Sequence, residues 1–475
     1  MNLRKLSTAV SALALAACAV GPNYSSKPVS ASAAAPFVMA QGSPLVSDAQ
    51  PIGNWWRLYD DPVLDGLVQD ALSANTDIRV SVARLVKARA RLREERGARE
   101  PQVGASGSAQ YGRLPGPDIP GEKRNDVQVD VGLNVAYEVD LFGRVSRRVE
   151  AARGDIGAAE ADADAVRVAI VADTVRAYAD AASSADFISV AENIVALLDR
   201  SLTLTERQHQ IGVATGLDTA RIAALRDQRR AEIPLLQAQR QGALFRLATL
   251  TARTPREVPV QVAERTTTLR LQQAIPVGDG AALLARRPDV RAAERRLAAS
   301  TARIGVATAD LYPRITLGGS VGSSGAGLGN VFGANPFTWL IGPLINWTVN
   351  RSAARARVAE SKADTQAALA TFDGTVLQAL EETETALSSY QQALNRRDAL
   401  RAARDQAQKA ATITRARQRE GDISSLELLD AERTAAEAEA ALAEADARIA
   451  DAQVDLFKAL GGGWASQQGS IAASH

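Results

Sequence analysis

Two stretches of this chain repeat one another at a fixed offset, and that repeat limits the folds open to it. Asn75-Thr76-Asp77-Ile78-Arg79 returns as Arg287-Pro288-Asp289-Val290-Arg291, and Arg99-Glu100-Pro101-Gln102-Val103 returns as Leu311-Tyr312-Pro313-Arg314-Ile315. The offset is 212 both times (289 − 77 and 313 − 101). Each copy runs helix, short strands, then a very long helical hairpin. Length alone would permit about three domains. The repeat points instead to one architecture built twice.

The strands show a period of two. Val103, Ala105, Gly107, Ala109 and Tyr111 alternate with Gln102, Gly104, Ser106, Ser108 and Gln110. Val127, Val129, Val131, Leu133, Val135 and Tyr137 alternate with Gln128, Asp130, Gly132, Asn134 and Glu138. The second copy supplies Ile315, Leu317, Gly319 and Val321 against Thr316, Gly318 and Ser320, then Phe337, Trp339, Ile341 and Ile345 near 336–346. Segments 114–126 and 323–335 read as loops. Alternation alone fits a half-buried sheet in a soluble domain. Two details favour lipid. The strands are about 10 residues long, the length a tilted strand needs to cross a bilayer. Aromatics also collect near their ends (Tyr111, Tyr137, Phe142, Phe337, Trp339, Trp347), as in interfacial girdles.

Four strands cannot close a barrel, and an open edge in lipid leaves backbone groups without partners at several kcal/mol each. Identical copies must complete the wall. Two copies would give about eight strands, whose interior side chains fill. The small polar-face residues Gly104, Ser106, Ser108, Gly132, Gly318 and Ser320 favour a wider, water-filled tube of about twelve strands from a trimer.

The remaining sequence is helical. Pro62 can open a helix over 62–99. Proline is absent from 144 to 211, where Val145, Val149, Ala152, Ile156, Ala159, Ala163, Val166, Ile170 and Ala177 mark a coiled-coil-like seam. At 1.5 Å per residue this helix reaches about 100 Å. A proline-free partner of the same length spans roughly 350–419. Turns at 210–216 and 420–424 lead into return helices ending near 252 and 461. Trp55 and Trp56 read as packing anchors.

The N-terminus is an export address. Arg4 and Lys5 precede the apolar stretch Leu6 to Leu15, and Leu15-Ala16-Ala17-Cys18 resembles a bacterial lipobox. That implies cleavage before Cys18 and a covalent lipid on its thiol. Ala19 in place of Asp points to sorting to the outer membrane. Cys18 is the only cysteine, so no internal disulfide can form. The expected divisions are a lipoprotein signal peptide (1–17), a lipid-anchored tether (18–61, flexible over 19–52), a first repeat (62–253), a linker around the equator (254–286), a second repeat (287–461) and a flexible tail (462–475). No other apolar run suggests a transmembrane helix. The balance of 55 basic against 54 acidic side chains gives no nucleic-acid surface. Two histidines, His209 and His475, leave no His-based metal cluster or triad, and Gly461-Gly462-Gly463 lacks the Lys-Ser or Lys-Thr of a phosphate loop. An enzyme is not expected, nor is any cofactor or metal beyond the lipid.

Taken together, Tyr137-Glu138-Val139-Asp140-Leu141-Phe142-Gly143-Arg144, Ala285-Arg286-Arg287-Pro288-Asp289-Val290, Leu311-Tyr312-Pro313 and Leu428-Leu429-Asp430-Ala431-Glu432-Arg433 resemble the outer membrane factors of tripartite efflux pumps, closest to the TolC/OprM-like, NodT-type lipoproteins. The resemblance covers essentially the whole mature chain. It implies a mainly α fold with a membrane β-barrel: four strands per protomer in a trimeric, 12-stranded barrel, with long antiparallel coiled-coil helices forming a periplasmic tunnel. It also implies a periplasmic adaptor (membrane fusion) protein and an inner-membrane RND transporter as partners. Two places depart from the family pattern. The fourth strand runs through Pro343 to Arg351 without the usual Gly-Gly turn, and Arg99-Glu100-Pro101 is more charged than usual.

At the hairpin tips, Arg419, Asp430 and Arg433 match the family's gate constellation. Glu427 follows the second tip, and Asp218 holds the matching place after the first. On spacing alone Asp430 and Arg433 also fit a solvated helix pair worth ~0.2–0.5 kcal/mol. Threefold symmetry would turn one Asp into a ring of carboxylates that resists closing unless arginines neutralise it. Several exposed pairs at ~0.2–1 kcal/mol each, summed over three protomers, reach the ~5.5 kcal/mol that swings a gate from closed to open. The implied function is a passive outer-membrane exit channel of an RND-type efflux system, gated at the helix tips. Its rivals are a type I secretion channel and a lipid-anchored periplasmic coiled-coil scaffold or adaptor with no pore.

Overall fold

The computed structural model describes residues 19–26, 28, 30–42, 44–47, 49–113, 125–271, 273–326 and 337–463. The leader, Cys18, most of the two strand-connecting loops and the tail from 464 lie outside them. In chain order the elements are β1 (Val46–Ser47), α1 (Pro62–Ala74), α2 (Thr76–Gly97), β2 (Gln102–Arg113), β3 (Asn125–Val139), α3 (Arg144–Gln210), α4 (Gly216–Leu250), α5 (Val260–Glu264), β4 (Ile275–Pro276), α6 (Gly280–Arg286), α7 (Pro288–Ala309), β5 (Arg314–Ala326), β6 (Phe337–Asn346), α8 (Ser352–Arg419) and α9 (Ser425–Ala459). The repeat holds element by element. α2 and α7 have 22 residues each, α3 and α8 have 67 and 68, and α4 and α9 have 35 each.

The helix expected over 62–99 is two helices. Asp61 opens α1 by accepting the Val63 and Leu64 amides, with Pro62 at the first helical position. Buried Asn75 then ends it. The Asn75 Oδ1 accepts the Asp77 amide at 2.8 Å and the Ile78 amide at 3.3 Å, and its Nδ2 donates to the Leu250 carbonyl at 2.8 Å. An Asn N-cap inside a helical run restarts the helix as α2.

The chain forms two compact units, each drawing on both repeats. The first holds the described residues of 84–160 and 292–374 with 19–26. Its sheet is antiparallel throughout, in the order β2-β3-β5-β6. The register aligns the apolar positions across all four strands. Val103 faces Val135, Val135 faces Gly319 and Gly319 faces Ile341. Likewise Leu133 faces Val321 and Val321 faces Trp339. Val103, Leu133, Val135, Trp339 and Ile341 are exposed, so most of this apolar face is uncovered among the described residues, Val129 being buried. The other face carries mostly Gly, Ser, Thr, Asn and Gln, with Asp130 among them. β6 departs from clean alternation, because Leu340 and Leu344 put apolar side chains there too. Leu344 occupies the space over Gly318, where an added Cβ would meet Leu344 Cδ1 at 2.9 Å. Asp140 caps α3 through the Val145 and Ser146 amides at 2.9 and 2.7 Å. Gly143 takes φ +75° in that turn, and Arg144 Nε donates to Glu138 at 2.8 Å. In the second copy, which lacks a glycine turn, Asn350 Oδ1 accepts the Ser352 amide and hydroxyl at 3.2 and 2.9 Å.

The second unit holds the described residues of 28–83, 161–291 and 375–463. Trp55 and Trp56 are buried in its core, and Trp55 stacks on Phe457 with centroids 4.5 Å apart. Phe37, Leu64, Tyr178, Leu269, Ile275 and Val454 join the same core. The flexible tether expected over 19–52 is therefore corrected. Phe37 is buried, the Val38 and Met39 amides donate to Glu384 at 2.6 and 3.0 Å, and β1 pairs in parallel with β4. In the first unit, Tyr24 donates to Glu294 at 3.1 Å and Arg147 to Asn23 at 2.6 Å. Composition suggested a linker, but aromatic and backbone contacts bind it to the body. A second correction concerns α3. It contains a window long and apolar enough to cross a membrane by length and composition, half of which is buried. Ile170, Val171, Ala172, Val175 and Tyr178 lie in the core, so their apolarity serves packing.

Candidate gate at the helical hairpin tips

The two hairpins end in matching turns. Gly212 takes φ +78° and Gly421 φ +81°, a backbone that favours glycine. The Val213 amide donates to the Gln208 carbonyl at 2.8 Å, and the Asp422 amide to the Arg417 carbonyl at 3.0 Å. His209 Nδ1 lies 2.9 Å from the Ala214 carbonyl and closes the first turn. These bonds satisfy carbonyls that a helix end leaves free.

The return helices start with caps. Thr215 and Asp218 form a reciprocal capping box on α4. The Asp218 carboxylate accepts the Thr215 amide at 2.9 Å and its hydroxyl at 2.7 Å. These bonds hold the carboxyl below its ordinary pKa. Ser424 caps α9 by accepting the Glu427 amide at 3.3 Å, and its hydroxyl donates to Glu427 Oε1 at 3.3 Å. Asp218 and Glu427 thus hold equivalent positions and do equivalent work, shaping the tips. Arg419 is the last residue of α8 and is exposed, placed where a cation suits the helix dipole.

Asp430 and Arg433 are brought together. Arg433 Nη2 donates to Asp430 Oδ1 at 2.9 Å, with 53% and 68% of the two side chains exposed respectively. Arg417 and Asp422 lie 3.5 Å apart across the second turn and are also exposed. Within one chain these are solvated pairs of small worth.

Beneath them lies a group that motif matching did not single out. Glu432 is 1% exposed. The Ser201 hydroxyl is 2.8 Å from both its oxygens, and Arg415 Nε donates to Oε1 at 3.3 Å. Three helices, α3, α8 and α9, meet on this carboxylate. Gln418 Nε2 donates to Gln208 Oε1 at 2.8 Å nearer the turns. Burial raises the Glu432 pKa, while Ser201 and Arg415 oppose the rise. A signal existed in the sequence: Leu428, Glu432 and Ala436 recur every fourth residue and share one buried stripe. Among the described residues no group of three or more His, Cys, Asp or Glu could hold a metal.

A four-stranded sheet with bilayer-length strands and a largely exposed apolar face, together with paired long hairpins, defines a class: the outer-membrane channel with a helical extension. Similarity to known proteins is specific. The family model for outer membrane efflux proteins matches residues 67–253 and 281–462. The chain is 32% identical to the outer membrane protein OprJ of Pseudomonas aeruginosa, over 95% of this chain and 94% of that one. It is 31% identical to the probable efflux pump outer membrane protein TtgC of Pseudomonas putida, over 99% and 97%. The solved outer-membrane channel OprN superposes with a TM-score of 0.87 at 37% identity, covering 94% of this chain and 100% of that one. The chain belongs to the outer membrane efflux protein family. It resides in the outer membrane and functions in efflux across it.

Proposed function

We propose that three copies close their sheets into one twelve-stranded barrel and their hairpins into a periplasmic tunnel. The assembly is a passive exit duct for a periplasmic adaptor (membrane fusion) protein and an inner-membrane RND transporter. The observation that carries this reading is the sheet itself. Among the described residues β2 and β6 each have one unpaired edge, and the face they share with β3 and β5 is apolar and largely exposed. Lipid satisfies that face, but only neighbouring strands can satisfy the edges. A head-to-tail match of β6 to the next copy's β2 closes under rotation.

The gate belongs to the tips. Asp430, Arg433 and Arg419 present exposed charges there, and their pairs can exchange partners between protomers at small cost in each. Glu427 and Asp218 shape the turns that carry them. Cys18 anchors the chain through its covalent lipid.

The test uses full-length protein in detergent and in planar bilayers. The expected result is a heat-modifiable trimer whose single-channel conductance rises when Asp430→Ala and Arg433→Ala are combined. Unchanged conductance in an intact trimer rejects the gate. A soluble, elongated, non-conducting species after Cys18→Ser rejects the channel in favour of a periplasmic scaffold.

A further inference from the structure

We infer that Asp130 sets the ion preference of the barrel segment and favours solutes carrying a positive charge. The inference rests on the trimeric-barrel reading. The register puts Asp130 on the polar face of β3, between Ser108 on β2 and Ser324 on β5. It stands nine residues before Val139, the helix-side end of the strand, which is about 30 Å along the chain. From 102 to 110, 128 to 136, 316 to 324 and 338 to 344, every other polar-face position is Gly, Ala, Ser, Thr, Asn, Gln or Leu. Asp130 is the one ionisable residue among those positions; Asp126 lies four residues further from the helices, near the start of β3.

Its surroundings keep it charged and in place without neutralising it. The Ser108 hydroxyl donates to Oδ2 at 3.2 Å, and Gln128 Nε2 lies 3.4 Å from Oδ1 while bonding Ser324 Oγ at 3.3 Å. These partners are neutral. The charges nearer the helix-side rim differ: Glu138 is paired with Arg144, and Arg314 with Asp310 at 2.9 Å. Glu138 and Asp310 are thus matched by arginines, whereas Ser108 and Gln128 leave the Asp130 charge unmatched.

Threefold repetition makes one ring of three carboxylates. Twelve strands about 4.8 Å apart and tilted by about 40° put the backbone about 12 Å from the axis. The carboxylates then stand about 10 Å from it. That distance equals the Debye length in about 0.1 M salt, so the ring's field still reaches the axis. Coulomb's law in water with this screening gives a cation-over-anion preference of roughly fivefold at 0.1 M, roughly twentyfold at 0.01 M and almost none at 1 M.

The experiment measures reversal potentials in potassium chloride gradients across bilayers holding full-length trimers. It compares wild type, Asp130→Asn and Asp130→Lys, each with the native tips and with Asp430→Ala plus Arg433→Ala. The asparagine keeps the shape and removes the charge. The expected result is a roughly fivefold fall in the cation-to-anion permeability ratio near 0.1 M for Asp130→Asn in both tip backgrounds. Asp130→Lys inverts the preference, and the differences vanish at 1 M. Unchanged reversal potentials in conducting Asp130→Asn trimers overturn the assignment. No trimer and no conductance in the wild type rejects the barrel reading and the ring with it.

Discussion

The Ser201 hydroxyl lies 2.8 Å from both carboxylate oxygens of Glu432, joining α3 to α9 inside the tip region. Arg415 of α8 adds a third helix to the same carboxylate. The exposed charges at the tips therefore ride on a buried polar tie.

Removing that tie should loosen the tips. Glu432→Ala strands a buried hydroxyl and a guanidinium, at about 1–3 kcal/mol. Amide hydrogen exchange in α9 should quicken accordingly, and Glu432→Gln, which can still bond Ser201, should lose less. The pH dependence has a definite sign. The Glu432 pKa is raised in the folded state, so folding binds the proton more tightly than the unfolded chain does. Its contribution is fullest below the ordinary value of 4.5 and is lost as pH rises through the raised folded value. Glu432→Gln should flatten that part of the stability profile, measured by exchange or denaturation at several pH values.

The caps should behave differently from the exposed pair. Thr215→Ala and Ser424→Ala each remove an N-cap at about 1 kcal/mol. Faster exchange should be confined to the first turns of α4 and α9 and persist at high salt. Asp430→Ala removes a solvated pair worth ~0.2–0.5 kcal/mol and should leave exchange there nearly unchanged.

Two glycine substitutions should have opposite signs. Gly374 sits in α8 with open space around it, so Gly374→Ala should stabilise by about 1 kcal/mol. Gly154 in α3 faces α7, where an added Cβ would meet Ala299 Cβ at 2.9 Å and its backbone nitrogen at 3.0 Å. Gly154→Ala should destabilise by about 1–3 kcal/mol despite better helix propensity. Thermal unfolding followed by helical circular dichroism reads both.

The tryptophan anchor should be costly to remove. Trp55 is buried against Phe457 and Trp56, so Trp55→Ala should cost about 3–5 kcal/mol. The midpoint of chemical denaturation should fall. Trp56→Phe should cost less, losing mainly the indole bond to Asp65 at 2.8 Å.

Much of the architecture is legible in periodicity. Alternation over Gln102–Arg113 and Asn125–Val139 names the two faces of those strands, because successive side chains on a strand must point opposite ways. A proline-free, coiled-coil-like seam names α3, and a proline-free stretch of the same length names α8, for a similar local reason. The break at Asn75 is hidden because helical periodicity continues across it, and the Asn side chain that caps α2 is itself held by a bond to Leu250, far along the chain. The N-terminal stretch reads as a linker because it is rich in Ser, Ala and Pro, whereas the burial of Phe37 and the β1–β4 pairing are long-range facts.

For the tips, the motif around Asp430 and Arg433 named the charges. Only packing revealed that Glu432, between them, is the one held inside. The sequence by itself determined the duplication, the strand faces and the lengths of the long hairpin helices, since each follows from spacing along one chain. Tertiary structure decided the strand order, the apolar register across four strands and which carboxylate is buried. Those depend on which distant residues meet, and spacing along one element carries no record of that.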